Sequence, residues 1–167
     1  MKRPALAALV AAAAACTAFA ANSPELNWVV ASRGHIPKAS LAAGRDATGE
    51  QSYVCRARLA NGAETPGTIR QPRVGCSLVH GGIVWTIGAY QVLRDDGPKV
   101  IRWLAATEVP QRAYQVGREA DGSAVYLCRA KRADGSVHIG KLNGRGCTYG
   151  LGGRERQAAE FEVLVKP

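Results

Sequence analysis

Tyr53-Val54-Cys55-Arg56-Ala57 is followed 73 residues later by Tyr126-Leu127-Cys128-Arg129-Ala130, and this pair of stretches decides the fold. Further matches appear in the same order. At the same offset of 73, Gly44-Arg45-Asp46 matches Gly117-Arg118-Glu119. After a two-residue deletion the offset is 71, and there Cys76 matches Cys147, Gly81-Gly82 matches Gly152-Gly153, and Tyr90-Gln91-Val92-Leu93 matches Phe161-Glu162-Val163-Leu164. Self-similarity in a fixed order indicates an internal repeat. We therefore predict two tandem repeats, residues 27–94 and 102–165, joined by a polar Asp-Gly-Pro turn.

Each repeat has the periodicity of β-strands. From Tyr53 onward, aromatic, cysteine and alanine side chains alternate with Val54 and Arg56, which predicts an antiparallel strand that is buried on one face only. Asn61-Gly62 and Asp134-Gly135 follow at equivalent places and predict tight hairpin turns, as do the two Gly-Gly pairs. No stretch beyond the N-terminal leader has sustained helical periodicity, so the expected fold class is all-β.

Aromatic and arginine side chains also recur between the repeats. Trp28 and Trp103 begin the two repeats, and we expect both to anchor the core. Arg56 and Arg129 flank the first cysteine of each repeat. Two roles stay open for these arginines: pairing with a carboxylate across the sheet, or lining a solvated face.

The N-terminus has the pattern of a secretory signal peptide. Lys2 and Arg3 precede an alanine-dominated apolar run, which ends in small residues and is short for a membrane span. We predict a signal peptide over residues 1–21, cleaved near Ala20 or Ala21, and a secreted or periplasmic protein. The alternative is a lipoprotein signal in which Cys16 becomes lipidated, the one route by which we expect membrane association.

Charge and composition narrow the class of partner. The formal net charge is +9, and removal of Lys2 and Arg3 with the leader leaves 20 basic side chains against 13 acidic ones, or +7. Such a surface attracts anionic partners, and it equally serves solubility alone. We do not expect nucleic acid as the partner, because the protein is exported and its aromatic residues do not interleave with basic clusters. A homodimer stays open as an assembly state.

Four cysteines remain after the leader: Cys55, Cys76, Cys128 and Cys147. An even number in an exported protein favours disulfides, and four cysteines allow three pairings. The repeat selects Cys55–Cys76 with Cys128–Cys147, because each repeat then closes itself. The rival is a four-cysteine zinc site, which normally has closely spaced cysteine pairs that this sequence lacks; free thiols are the remaining alternative.

Taken together, these motifs resemble the DM9 repeat. The resemblance is carried in repeat one by Trp28-Val29-Val30-Ala31-Ser32, Gly44-Arg45-Asp46, the stretch at Tyr53, Pro66-Gly67 and the closing Tyr90-Gln91-Val92-Leu93, and in repeat two by their counterparts, including Gly140-Lys141. It implies antiparallel β-sheets and two repeats packed as a pseudo-twofold unit. In some animal members it also implies lectin activity toward mannose.

The resemblance also implies a ligand site in each repeat. In the family, an acidic residue after Gly-Arg and a lysine after Pro-Gly cooperate in gripping the sugar. Repeat one offers Asp46 with Thr68 in the lysine position, and repeat two offers Glu119 with Lys141. The remaining candidate ligand-binding residues are Arg45 and Arg118, and Trp85 and Tyr149 are candidate aromatic platforms. Without the resemblance, Gly-Arg-Asp is a turn with a surface ion pair.

The expected function is that of a non-catalytic, lectin-like binding protein whose ligand is a glycan or an anionic cell-envelope polymer. We expect no enzyme activity, cofactor or metal, because the three histidines are not aligned between repeats and no nucleophile-elbow pattern is present. The alternative function is a structural or protein-interaction module of the cell envelope without a glycan ligand.

Overall fold

The computed structural model describes residues 25–144 and 146–167, which contain fourteen β-strands and no helix. Repeat one contains β1 (Trp28–Ser32), β2 (Ala42–Arg45), β3 (Gln51–Arg58), β4 (Glu64–Ile69), β5 (Cys76–His80), β6 (Ile83–Ile87) and β7 (Ala89–Leu93). Repeat two contains β8 (Arg102–Ala106), β9 (Gln115–Arg118), β10 (Ala124–Lys131), β11 (Val137–Leu142), β12 (Cys147–Leu151), β13 (Arg154–Ala158) and β14 (Phe161–Val165). The all-β prediction is confirmed, and none of the described residues forms a helix that could cross a bilayer. The predicted signal peptide and Cys16 lie outside the described residues.

The two repeats share one strand plan. In repeat one, β3 pairs with β2, β4 and β7, while β1 pairs with β7 and β5 lies between β4 and β6. In repeat two, β10 takes the place of β3, and every pairing recurs seven strands later. All of these pairings are antiparallel, so the repeat seen in the sequence is a repeat of architecture.

Strands of one repeat pair with strands of the other, which makes the two halves a single interlocked unit. Arg45 on β2 pairs with Val137 on β11, and Arg118 on β9 pairs with Glu64 on β4. These pairings are exchanged by a pseudo-twofold rotation. A third contact, between Ile83 on β6 and Arg154 on β13, joins two equivalent positions and therefore lies on the axis. The prediction of two repeats packed as a pseudo-twofold unit is confirmed.

The core is divided between one cluster that both repeats share and two private clusters, each of which belongs to one repeat. The shared cluster takes buried residues from both repeats: Leu41, Ala43, Val54, Leu93, Ile101, Tyr114, Val116, Leu127, Ile139 and Leu164. Val54 and Leu127 are fully buried, so the prediction that β3 and β10 are buried on one face only is wrong. The second face of each strand is covered by the other repeat. The periodicity of a single strand cannot predict that cover.

Each private cluster is built around a disulfide. Cys55–Cys76 joins β3 to β5 and Cys128–Cys147 joins β10 to β12, with Cα atoms 5.9 and 5.8 Å apart. All four cysteines are fully buried. The pairing within repeats that the sequence predicted is therefore the one present, and it ties three strands of each repeat together.

The hairpin turns have the backbone conformations that their glycines permit. Gly62 and Gly135 have φ values of 87° and 81°, whereas Asn61 and Asp134 keep negative φ, so these are three-residue turns with only the glycine left-handed. The Gly-Gly pairs have positive φ at both residues and make two-residue turns, 81–82 and 152–153. The backbone N–H of Val84 donates to Gly153 O, so the two Gly-Gly turns meet at the pseudo-twofold axis.

Arginine stacking fixes the outer strands β1 and β8. The Arg56 guanidinium lies 4.2 Å from the centre of the Trp28 ring, and that of Arg129 lies 4.3 Å from the Trp103 ring. Arg129 also donates to Glu162 at 2.7 Å, where Arg56 donates to Gln91 at 2.8 Å. The tryptophans are half-buried against the shared core, so they anchor it as predicted and also carry a cation–π contact.

Candidate functional site

Two clefts open where the repeats meet, and the pseudo-twofold axis exchanges them. Cleft one, of about 450 Å³, lies between β2 and β4 of repeat one and the Gly152-Gly153 turn of repeat two. Cleft two, of about 470 Å³, lies between β9 and β11 of repeat two and the Gly81-Gly82 turn of repeat one. Cleft two is lined by His80, Gly81, Gly82, Glu119, Lys141, Asn143, Thr148, Glu155 and Gln157, and each of these has its repeat equivalent in cleft one: Leu151, Gly152, Gly153, Asp46, Thr68, Arg70, Ser77, Val84 and Thr86.

Glu119 and Lys141 form an ion pair in the wall of cleft two. Lys141 is on β11 and Glu119 follows β9, and both strands flank β10, so the two side chains are held by the rigid centre of repeat two. Lys141 Nζ donates to Glu119 Oε1 at 2.8 Å, and Asn143 Nδ2 donates to the same oxygen at 3.1 Å. The side chains are 8% and 17% exposed, which is low for a charged pair at a cleft. Among the described residues, Glu119 Oε2 has no hydrogen-bond partner.

The ion pair keeps Glu119 charged. Burial by itself raises the pKa of the Glu119 carboxyl, but the hydrogen bond and charge of Lys141, assisted by Asn143 and His80, outweigh burial and hold the pKa below its usual value. A carboxylate that stays ionised at neutral pH accepts hydrogen bonds and does not donate a proton.

The opposite wall of cleft two comes from repeat one. The backbone N–H of Gly82 donates to Glu155 Oε2 at 3.2 Å, which fixes the Gly-Gly turn against β13. His80 Nε2 lies 3.2 Å from Asn61 Nδ2, so that ring is tied to the β3–β4 turn. The cleft therefore requires both repeats, although its ion pair comes from repeat two alone.

Asp46 in cleft one is engaged by its own loop. Its Oδ1 accepts from the Thr48 N–H at 2.9 Å, from Thr48 Oγ1 at 2.6 Å and from the Glu50 N–H at 3.1 Å, while Oδ2 accepts from Arg70 Nη1 at 2.6 Å. The Thr48 hydroxyl is the largest influence on the pKa of Asp46. Desolvation, the second largest, opposes it, and the backbone donors and Arg70 add to the Thr48 hydroxyl, so the pKa falls to about 2. Asp46 thus holds the loop and Arg70 in place.

The cationic partner of Asp46 is Arg70, a residue that the sequence reasoning missed. Thr68 occupies the lysine position and lines the cleft, but its Oγ1 has no hydrogen-bond partner among the described residues. Arg70 follows Thr68 by two residues, and positions i and i+2 of an extended chain point to the same side. That spacing was the available signal for a substitute cation.

The two candidate arginines have different positions. Arg45 lines cleft one and donates from Nε to Gly135 O of the other repeat at 3.1 Å. Arg118 is exposed and lies outside the lining of both clefts. The structure therefore brings Arg45, Asp46 and Thr68 together in one cleft and Glu119 with Lys141 in the other, and places Arg118 beside neither.

The candidate aromatic platforms lie outside both clefts. Tyr149 is 5% exposed and packs in the private core of repeat two, where it stacks on His138 with ring centres 5.0 Å apart. Trp85 is 46% exposed, and its indole N–H donates to His80 O at 3.0 Å. Among the described residues, the rings that line the clefts are those of His138 in cleft one and His80 in cleft two, and no tryptophan, tyrosine or phenylalanine lines either.

The sequence model of the DM9 repeat matches the chain over residues 15–84 and again over residues 53–158. The chain belongs to the DM9 repeat family. Two overlapping matches agree with the two interlocked repeats of the structure, although each match crosses the boundaries predicted from the internal alignment.

A solved structure similar to this DM9 repeat protein is the nematode sperm cell motility protein MFP2B, with a TM-score of 0.61 and 15% identity. The similarity covers 85% of this chain and 44% of the MFP2B chain, so this protein spans less than half of that relative. At this identity the likeness shows the fold alone. No curated protein matches the sequence.

Proposed function

We propose that this DM9 repeat protein is a secreted, non-catalytic carbohydrate-binding protein that holds a neutral sugar in cleft two. The observation that carries the proposal is the Glu119–Lys141 pair, 2.8 Å apart and facing a polar cleft of about 470 Å³. Membership of the DM9 family supports it, because the two residues fall at the acidic and lysine positions with which some animal members of the family bind mannose.

The pair provides what two neighbouring hydroxyl groups of a sugar require. Glu119 Oε2 accepts a hydrogen bond from one hydroxyl, and Lys141 Nζ, which has three donors, gives one to the adjacent oxygen while keeping its bond to Glu119. Because the pair is already formed and shielded from solvent, little side-chain entropy is lost on binding.

The pKa of Glu119 does not fit the proton-donating acid of a glycosidase. A glycosidase acid needs a carboxyl whose pKa is raised so that it carries a proton at the working pH. The pKa of Glu119 is lowered instead, because Lys141 outweighs the effect of burial, so this side chain is suited to accept hydrogen bonds from a ligand.

Export is supported by the disulfides. Two buried disulfides in a small domain are typical of proteins that reach an oxidising compartment, and they accord with the signal peptide predicted for residues 1–21. An exported protein would meet the glycans of the cell envelope.

A glycan array followed by calorimetry with the processed protein tests the proposal. We expect Glu119→Gln and Lys141→Met each to weaken binding by about tenfold or more, because a hydrogen bond to a charged group contributes about 1.5–3 kcal/mol. Lys141→Met keeps the buried stem of the side chain, and the double variant leaves no unpaired charge, so it serves where a single variant is unstable.

The matched controls are Glu160→Gln and Lys99→Met, which make the same chemical changes at exposed positions outside both clefts. Equal losses in the controls and in the cleft variants would contradict the assignment. If no neutral or acidic glycan binds, and envelope proteins are captured equally by the double variant, the protein is instead a structural or protein-interaction module.

A further inference from the structure

Cleft one differs in chemistry from cleft two although the fold makes them equivalent. Three guanidinium groups, those of Arg45, Arg70 and Arg73, line it, against the carboxylate of Asp46. This is a formal surplus of two positive charges. The described lining of cleft two instead holds Lys141 against Glu119 and Glu155.

The positive charge in cleft one is available to a ligand. Arg70 gives one of its five N–H donors to Asp46, and its side chain is 34% exposed. Arg73 is exposed and has no side-chain partner among the described residues. Asp46 is engaged mainly with the protein itself, because its Oδ1 accepts three hydrogen bonds and its Oδ2 accepts one from Arg70.

Two buried hydroxyl groups lie in the same cleft without a hydrogen-bond partner. Thr68 on β4 and Ser77 on β5 face each other as partners in the ladder, and both line the cleft. Thr68 Oγ1 and Ser77 Oγ are buried and unpaired among the described residues, and Ser77 is 7% exposed. A buried hydroxyl without a partner costs about 1–3 kcal/mol, so a pair of them in the wall of a charged cleft indicates that a polar ligand completes it.

The surroundings strengthen the attraction for an anion. Val79, Val84 and Ile139 contribute apolar wall, which lowers the local dielectric and raises the strength of charge-assisted hydrogen bonds. His138, which also lines the cleft, has its pKa lowered by burial and then by the neighbouring Arg132, and its Nε2 lies 2.9 Å from Ser136 Oγ.

We propose that cleft one binds an acidic sugar, with Arg70 and Arg73 gripping its oxyanion substituent and the hydroxyls of Thr68 and Ser77 contacting the ring oxygens. A guanidinium fork fits a carboxylate or a phosphate in two-point contact, so the shared chemistry is an oxyanion carried on a pyranose. This inference rests on the proposed glycan function and adds a second site of different specificity.

Calorimetry on the full processed protein tests the site, with methyl glucuronide, glucose 6-phosphate and the uncharged methyl glucoside as ligands. We expect at least one acidic sugar to bind at least tenfold more tightly than methyl glucoside, with an affinity that falls as salt increases. Arg70→Met and Arg73→Met should each remove most of this preference, whereas the exposed control Arg112→Met should leave it intact. Glu119→Gln should weaken binding of methyl glucoside without weakening binding of the acidic sugars. The carboxylate and phosphate arms show which oxyanion is preferred.

Arg73→Met keeps the test interpretable, because the Arg73 side chain is exposed and makes no hydrogen bond or ion pair with the described residues. Three outcomes overturn the inference: no preference for either acidic sugar, a preference lost in Glu119→Gln but kept in both arginine variants, or inorganic phosphate and acetate competing as well as the sugars. In the first two cases binding of a neutral sugar at cleft two still stands. Acidic-sugar binding without neutral-sugar binding would support cleft one and contradict the assignment of cleft two.

Discussion

At the scale of single residues, Asp46 and Glu119 show how equivalent positions acquire different roles. Asp46 is one methylene shorter, and its carboxylate accepts hydrogen bonds from Thr48 and Glu50 in its own loop as well as from Arg70. Glu119 reaches past its loop to Lys141, and its second oxygen has no described partner. The shorter acid organises the structure around it, and the longer one is available to a ligand.

The lowered pKa of Asp46 predicts a pH-dependent contribution to stability. The folded pKa, about 2, lies below the ordinary value of 3.8, chiefly through the Thr48 hydroxyl. The contribution is therefore fully present above pH 3.8 and is lost as the pH falls toward 2. We expect Asp46→Asn, which keeps an oxygen for the loop but loses the charge opposite Arg70, to unfold at lower urea concentration than wild type at pH 7.

The urea midpoints of the wild type and of Asp46→Asn should approach each other as the pH falls from 4 to 2, where about half of Asp46 is still ionised in the folded protein. Urea titrations at pH 7, 4 and 2 give this comparison, with Glu160→Gln as an exposed control. A difference that stays constant across the series would show that the charge of Asp46 contributes nothing.

Sequence reasoning located both acidic residues and Lys141, because these positions sit at fixed offsets from motifs that repeat. It missed Arg70 because the side chain that replaces the lysine stands two residues later, beyond the aligned position. It proposed Trp85 and Tyr149 as aromatic platforms because both lie near a glycine turn. That proximity does not determine on which side of a strand a ring lies. The clefts themselves could not be predicted from the sequence, because each is closed by a turn of the other repeat.

At the scale of elements, the strands and turns could be predicted from the sequence. Alternating side chains, glycine turns and the order of the cysteines are local signals, and the strands follow them. The burial of both faces of β3 and β10 was not within reach, because Val54 and Leu127 are covered by residues distant along the chain.

The disulfides should stabilise the two repeats equally. They join residues 21 and 19 apart, so each closes a loop of about 20 residues, which corresponds to about 3 kcal/mol in the chain-entropy description. We expect the paired replacements Cys55→Ala with Cys76→Ala, and Cys128→Ala with Cys147→Ala, each to lower the free energy of unfolding by about this amount. Guanidinium unfolding measures the loss. A stability that either pair of replacements leaves unchanged would contradict the prediction.

At the scale of the whole molecule, the two repeats form one cooperative unit. Their shared core draws on both repeats, and three strand pairings, β2–β11, β4–β9 and β6–β13, cross between them. Neither half can bury its central strand alone, so the covalent repeat is not a pair of independent domains.

Because the two repeats unfold together, a core substitution in one repeat should also destabilise the other. Leu127 on β10 is fully buried in the shared cluster, and Leu127→Ala should cost about 2–5 kcal/mol through lost burial and a cavity. Hydrogen exchange followed by NMR should then show amides of β3 in repeat one losing protection to the same extent as those of β10 in repeat two, because both open only in global unfolding. The conservative Leu127→Met, which nearly conserves volume, should leave both sets close to wild type. Loss of protection confined to β10, with β3 unchanged, would mean that the repeats unfold separately and that each cleft can lose one wall while the other persists.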